Sequence, residues 1–177
     1  MFTSPHGNEP LGTILYSVEA LILAMNVRGD IPLADIEQFL ERATIPVRVA
    51  CRTPRDELWM LSLWFVYRDG RLHCATAKSA AVVRYLEKDE HVAFEVSTND
   101  PPYRGVRGNG TATITDDPDK TQLRELLTRY LGSTETPLGQ RLLSEERVEV
   151  SIVIDPTRVY GWDFTERMRG RSEQSSA

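Results

Sequence analysis

The chain has 177 residues, 41% of them hydrophobic and 27% charged, with a formal net charge of −5. That size and balance fit one globular domain with a core of its own. The acidic surplus argues against general nucleic-acid binding, which needs a basic surface. No apolar run is long enough to span a bilayer, so no membrane partner is expected either.

Met1 to Pro10 is polar and reads as a frayed start. Ile14, Leu15, Val18, Leu21, Ile22 and Met25 then fall on one helical face. The segment lacks the basic leader of a signal peptide. It is expected to be an extra helix, within an N-terminal extension over residues 1–30, packing on the domain or on a partner subunit. Arg28 to Ile31 reads as a break. Pro32 suits the first turn of a second helix, whose face carries Leu33, Ile36, Leu40 and Ala43. Val47, Val49 and Cys51 alternate with Arg48, Ala50 and Arg52, the pattern of a half-buried strand.

Trp59 to Tyr67 is apolar on both faces except at Ser62. It is predicted to be one strand, filling a barrel on one side and covered on the other. Asp69-Gly70 is a strong signal for a two-residue hairpin turn, and Leu72 to Thr76 returns as its second strand. Thr76, Lys78 and Ser79 cluster where Ala80 to Leu86 begins a helical pattern. Two hydroxyls, an ammonium and free helix N–H groups suit an oxyanion such as phosphate. The plain alternatives are a capping Ser79 and a solvated Lys78.

His91 to Ser97 alternates as a strand. Arg104 to Thr115 reads as a long strand with Gly105, Gly108 and Gly110, a sign of a bulge or of close approach. Arg104 and Arg107 could meet an anionic cofactor tail or substrate, or simply form a solvated face. Asp117-Pro118 is expected to open a helix that Gly132 stops, and Thr136-Pro137 to open a shorter one. Val148 to Ile154 is the clearest alternating strand. Asp155-Pro156 reads as a turn, and Arg158 to Phe164 as a last strand bearing Tyr160 and Trp162. Residues 167–177 are polar and are expected to form a disordered tail.

The sum is an α+β, mainly β, architecture of about six or seven strands with peripheral helices. One domain is expected over residues 31–166. Cys51 and Cys74 fall inside strands, without the spacing of a zinc site. They read as buried thiols of a reducing cytoplasm. His6, His73 and His91 are unpaired in spacing, so no metal site is predicted. No Ser/His/Asp triad or paired acid–base carboxylates emerge, and no catalytic residue can be named.

Five stretches together resemble the pyridoxamine 5′-phosphate oxidase-like superfamily of flavin-binding split β-barrels. They are "PLADIEQFLERA" (Pro32 to Ala43), "LWMLSLWFVYRDGRLHCAT" (Leu58 to Thr76), "KSAAVVRYLEKDEHVAFEV" (Lys78 to Val96), "YRGVRGNGTATI" (Tyr103 to Ile114) and "DPTRVYGWDF" (Asp155 to Phe164). The likeness is closer to the flavin/deazaflavin oxidoreductase branch than to true pyridoxamine phosphate oxidase. The C-terminal "DFTERMRGRSEQSSA" lacks the substrate-binding ending of the latter.

The resemblance implies a split barrel, and a homodimer with flavins at the subunit interface. It implies that the ring lies on the strand containing Met60, Leu61 and Ser62. The phosphate would be held by Ala75, Thr76, Lys78 and Ser79 with help from Arg48, and Trp162 would reach the partner subunit's flavin. FMN is the favoured cofactor. A deazaflavin coenzyme is the alternative, with Arg84 and Arg104 as candidates for its longer anionic tail. Haem comes third, with His73 the first ligand to test. The implied function is an oxidoreductase acting on a small molecule, the cofactor carrying the redox chemistry. A non-catalytic flavin- or haem-binding module is the competing class.

Overall fold

The computed structural model describes residues 26–29 and 31–174, with side chains to residue 169. The helix expected over Ile14 to Met25 lies outside the described residues. In chain order the elements are β1 (Asn26–Gly29), α1 (Leu33–Arg42), β2 (Val47–Arg52), β3 (Leu58–Leu63), β4 (Phe65–Arg68) and β5 (Arg71–Ala77). Then follow α2 (Ala81–Lys88), β6 (His91–Ser97), β7 (Arg104–Asp116), α3 (Thr121–Leu131), α4 (Pro137–Leu142), β8 (Glu149–Asp163) and α5 (Thr165–Gln174).

The strands form one sheet in the order β3-β2-β6-β7-β8-β5-β4, with β1 pairing β8 in parallel. All the other pairings are antiparallel. β3 and β4 follow each other in the chain yet sit at opposite ends of that order, and the sheet curls into a half-barrel. The inward side chains of β2, β4, β5, β6 and β8 fill the curl: Val47, Val49, Phe65, Leu72, Cys74, Phe94, Val96, Ile152 and Ile154 are all buried in one cluster. Ile36 and Leu40 of α1, and Val82, Val83 and Leu86 of α2, join the same cluster.

The stretch Trp59 to Tyr67 is not one strand. It breaks at Trp64, where the chain passes from one end of the sheet to the other. Trp64 stacks on Tyr130 of α3 at 5.0 Å between ring centroids. The Tyr130 hydroxyl accepts from the Phe65 N–H at 3.2 Å and donates to the Ile45 carbonyl at 3.4 Å. Leu58, Trp59 and Met60, at its start, are 78%, 48% and 67% exposed within the single chain, on a stretch expected to be covered by a partner subunit. Beyond it, Asp69 and Gly70 both take positive φ, as the two-residue turn requires.

Four further expectations change. Asn26–Gly29 is a strand, held by backbone pairing to β8 rather than by any apolar pattern of its own. β8 runs straight through Asp155-Pro156, and Pro156, which has no N–H to donate, sits opposite Gly110 at a register shift. α3 starts at Thr121, not at Pro118. Asp117 still caps it, its carboxylate accepting from the Thr121 and Gln122 N–H groups at 2.8 and 3.0 Å. Residues 165–174 are helical, where the stretch from residue 167 onward was expected to be a disordered tail. Asp163 caps that helix by accepting from the Thr165 N–H at 2.8 Å, and its Glu, Arg and Met residues favour helix despite low hydrophobicity.

Candidate functional site

β3 is an edge strand, with only β2 beside it. It carries three exposed large apolar residues, Leu58, Trp59 and Met60, an unusual concentration for a strand edge. Trp59 leans against Tyr85 of α2, with centroids 6.2 Å apart and ring planes at 77°. That contact sets β3 beside α2, whose N-terminus follows the Ala77–Ala80 turn. The turn is closed by the Ala80 N–H donating to the Ala77 carbonyl at 2.9 Å. The first residue of α2 receives no side-chain cap, so Ser79 does not take the capping role open to it. The unmet N–H groups of a helix start carry partial positive charge and favour an anion.

Lys78 and Ser79 line a shallow depression of about 650 Å³ with Ser144, Glu146 and Arg147. Lys78 Nζ donates to Asp116 Oδ1 at 2.7 Å. Arg147 is held by Glu149, whose carboxylate is buried and whose second oxygen finds no partner.

A second cleft, of about 560 Å³, lies on the outer face of the sheet. Arg48 and Met60 belong to it. Arg48 is anchored by Glu95 Oε1 at 3.3 Å, Ser97 Oγ at 3.1 Å and Asn99 Oδ1 at 2.6 Å. Across the cleft stand Arg28, Arg107, Arg158 and Tyr160. Gly108 forms part of its floor, and a Cβ there would come within 2.6 Å of the Phe94 ring. A third cleft, of about 440 Å³, holds Trp162, Phe39 and Arg104. Trp162 lies over Gly105, where a Cβ would stand 2.7 Å from the indole.

Among the expected site residues, the structure therefore brings Lys78 together with Ser79, and Arg48 together with Met60. It does not put Arg48 in the depression of Lys78, and Trp162 lines neither. Ser62 is exposed on β3, in register with Arg48. Leu61 is half-buried against the core. Ala75 and Thr76 are half-buried on β5, in register with Ser151 and Val150. Arg84 is exposed on α2, and Arg104 rests its guanidinium 5.5 Å from the Phe39 ring centre. His73 is half-buried with Nε2 shielded and unpartnered, and burial pushes its pKa down; it lines none of the three clefts.

Arg28 and Arg158 were not expected at a site. Period-two alternation places them on the same face as Arg48, but only the strand order makes them neighbours. Both thiols are buried and free, and burial pushes that of Cys74 up to about 12. Among the described residues no group of three His, Cys, Asp or Glu side chains is placed to hold a metal ion, and no helix is long and apolar enough to cross a membrane.

No protein-family model matches the sequence, and no curated protein does. Solved structures match well. A conserved hypothetical protein of Mycobacterium tuberculosis superposes at TM-score 0.63 and 21% identity, over 76% of this chain and 86% of that one. A structure named F420 reductase gives TM-score 0.62 and 25% identity, over 73% and 98%. The FAD-binding protein of Mycobacterium smegmatis gives 0.52 and 16%, over 76% and 98%. The fold is the pyridoxamine 5′-phosphate oxidase-like split barrel. In this split barrel Trp64 joins β3 to β4 at the two ends of the strand order, and Trp59 of the exposed β3 edge rests on Tyr85 of α2.

Proposed function

We propose that the protein binds a flavin-type cofactor along the β3 edge and uses it for redox chemistry on a small molecule. The observation that carries this is the bare edge of β3, with Leu58, Trp59 and Met60 exposed and Trp59 resting on Tyr85 of α2, a helix whose start is uncapped. An aromatic ring system would cover the apolar side chains, and the unpaired backbone of the edge strand offers donors and acceptors to its polar rim. Lys78, Ser79 and the first N–H groups of α2 would hold the phosphate. Engaging Lys78 would require it to leave Asp116, an exposed pair worth little by itself.

The cofactor would supply hydride or electron transfer. This chain would bind it, orient it and exclude water from one side. A second copy of the chain would cover Leu58 and Met60 and bring its Trp162 to the other side. Two free, buried thiols fit work in a reducing cytoplasm.

FMN is the leading cofactor. A deazaflavin coenzyme is the second reading, favoured by the likeness to the structure named F420 reductase. Absorbance and fluorescence titrations with each separate the two, and a Soret band on purification would instead mark a haem module. Lys78→Ala is expected to weaken binding about ten- to a hundredfold, since a charge-assisted phosphate contact is worth about 1.5–3 kcal/mol. Failure of both cofactors to bind, or unchanged affinity in that variant, would sink the assignment. Sedimentation at micromolar concentration tests the dimer; Met60→Glu is expected to give a monomer.

A further inference from the structure

One end of the barrel carries a cleft with no part in holding the cofactor ring or its phosphate. It encloses about 440 Å³ between α1 and the strand ends, within the range of small-molecule sites. Ile45 precedes β2, Thr98 follows β6, Arg104 opens β7 and Asp163 closes β8, and all four line it. The exposed β3 edge is elsewhere. Leu58 is in register with Arg52, at the opposite end of β2 from Ile45. A site at this end of the barrel does not require the β3 edge to be bare.

The charge of the cleft is balanced. Two arginines, Arg42 and Arg104, meet two aspartates, Asp35 and Asp163. One of each is already engaged. Asp163 accepts from the Thr165 N–H at 2.8 Å, and Arg104 rests its guanidinium 5.5 Å from the Phe39 ring centre. The side chains of Asp35 and Arg42 are exposed, with no hydrogen bond, ion pair or ring contact among the described residues.

The helix α1 sets these two apart. Asp35, Phe39 and Arg42 are spaced i, i+4, i+7 and share one face. Seven residues at about 1.5 Å rise put the backbones of Asp35 and Arg42 about 10 Å apart. The helix dipole favours an acid at the start and a base at the end, which accounts for their order but gives neither a partner. Between them lies the apolar surface of Phe39, with Ile45 beside it.

We propose that this cleft binds a zwitterionic small molecule: an ammonium group paired with Asp35, an anionic group paired with Arg42, and an apolar body on Phe39 and Ile45. A dianion would set one of its charges against Asp35, and a dication one of its charges against Arg42. The inference goes beyond the cofactor reading and does not depend on it. Trp162 lines the cleft as well, but Asp35 and Arg42 carry the recognition, and neither has a part in holding the cofactor.

The test is an NMR shift titration of the full-length protein with para-(aminomethyl)benzoate, whose ammonium and carboxylate lie at opposite ends of one ring. The controls are para-methylbenzoate and para-methylbenzylamine, each with one of the two charges. The zwitterion is expected to bind at least fivefold more tightly than either control, with shifts concentrated in residues 35–45 and at Arg104. Its affinity should fall as salt rises. Asp35→Asn is expected to lower that affinity to the level of para-methylbenzoate, and Arg42→Gln to the level of para-methylbenzylamine. Glu41→Gln, on α1 but outside the cleft, changes the net charge as Asp35→Asn does and is expected to leave binding unchanged. All three positions are exposed, and melting curves verify that the variants keep the fold. Absence of binding, equal affinity for the three ligands, or shifts confined to other parts of the molecule would overturn the proposal. So would wild-type affinity in either Asp35→Asn or Arg42→Gln, or an equal loss in Glu41→Gln. A protein that binds the zwitterion but neither FMN nor deazaflavin would uphold the cleft and remove the cofactor reading.

Discussion

The barrel has two outer faces, and they are finished differently. Over β4 and β5 the chain lays its own helix: α3 buries Leu123, Leu126 and Leu127 there, stacks Tyr130 on Trp64 and shields one side of His73. Over β3, β2, β6, β7, β8 and β1 no described element lies, and Leu58, Met60 and Tyr160 stand exposed among arginines. One curled sheet thus carries a sealed face, where apolar burial holds the fold, and an open face that the described residues leave exposed. Stability is expected to reside in the first and recognition in the second.

The largest effect should come from the sealed face. Leu127 is fully buried, and Leu127→Ala is expected to cost about 2–5 kcal/mol through lost transfer energy and a cavity. Met60→Ala, on the open face, is expected to change the unfolding free energy of the monomer by less than about 0.5 kcal/mol. Denaturant unfolding measures both. Similar losses at the two positions would break the comparison.

Gly108 lies where the open face meets the core. Its Cβ-free backbone lets the Phe94 ring pack directly beneath the cleft floor. Gly108→Ala is expected to cost about 1–3 kcal/mol, the usual scale for overpacking. A variant as stable as wild type would show that the strands separate more easily than the ladder suggests.

Much of the sealed face was legible in the sequence. Leu123, Leu126, Leu127 and Tyr130 repeat at helical spacing, and the alternation in β2, β5, β6 and β8 gave the inward residues. The Asp69-Gly70 turn and the Lys78 helix entry were local patterns, readable without knowing the fold. The open face was not legible, because its unit is the cross-strand row. Arg48, Glu95, Arg107, Tyr160 and Arg28 are far apart in sequence and become neighbours only through β-ladder register. The break at Trp64 was hidden for a related reason. Nothing local marks it, since the stretch stays apolar through Leu63, Trp64 and Phe65. The crossing is imposed by sheet closure and pinned by Tyr130, sixty-odd residues later in the chain. β1 gave no pattern at all, since its pairing uses backbone alone.

That pinning can be tested at smaller scale. Tyr130→Phe keeps the stack on Trp64 but removes the hydroxyl that accepts from the Phe65 N–H and donates to the Ile45 carbonyl. The expected loss is about 0.5–1.5 kcal/mol, the net worth of a hydrogen bond in a folded protein. Tyr130→Leu should lose more, because it also removes the stacked ring. Equal losses in the two variants would assign the closure to the hydroxyl alone.

The smallest effect separates the faces by pH. His73 lies on the α3 side of β5, and its pKa is pushed below the ordinary 6.5. Burial is the first cause and the nearby positive charge of Arg68 the second. In the unfolded chain this imidazole takes a proton as the pH drops through about 6.5, while in the folded chain it resists. The unfolded state then binds more protons, so stability falls with falling pH. The contribution is complete above 6.5 and declines, by at most about 1.4 kcal/mol per pH unit, down to the depressed folded pKa. His73→Gln should therefore lose less stability than wild type between about pH 7.5 and about pH 5. Met60→Ala, on the open face, should leave that pH dependence of stability unchanged. Identical pH slopes in wild type and His73→Gln would place the acid sensitivity elsewhere and leave the two faces undistinguished by charge.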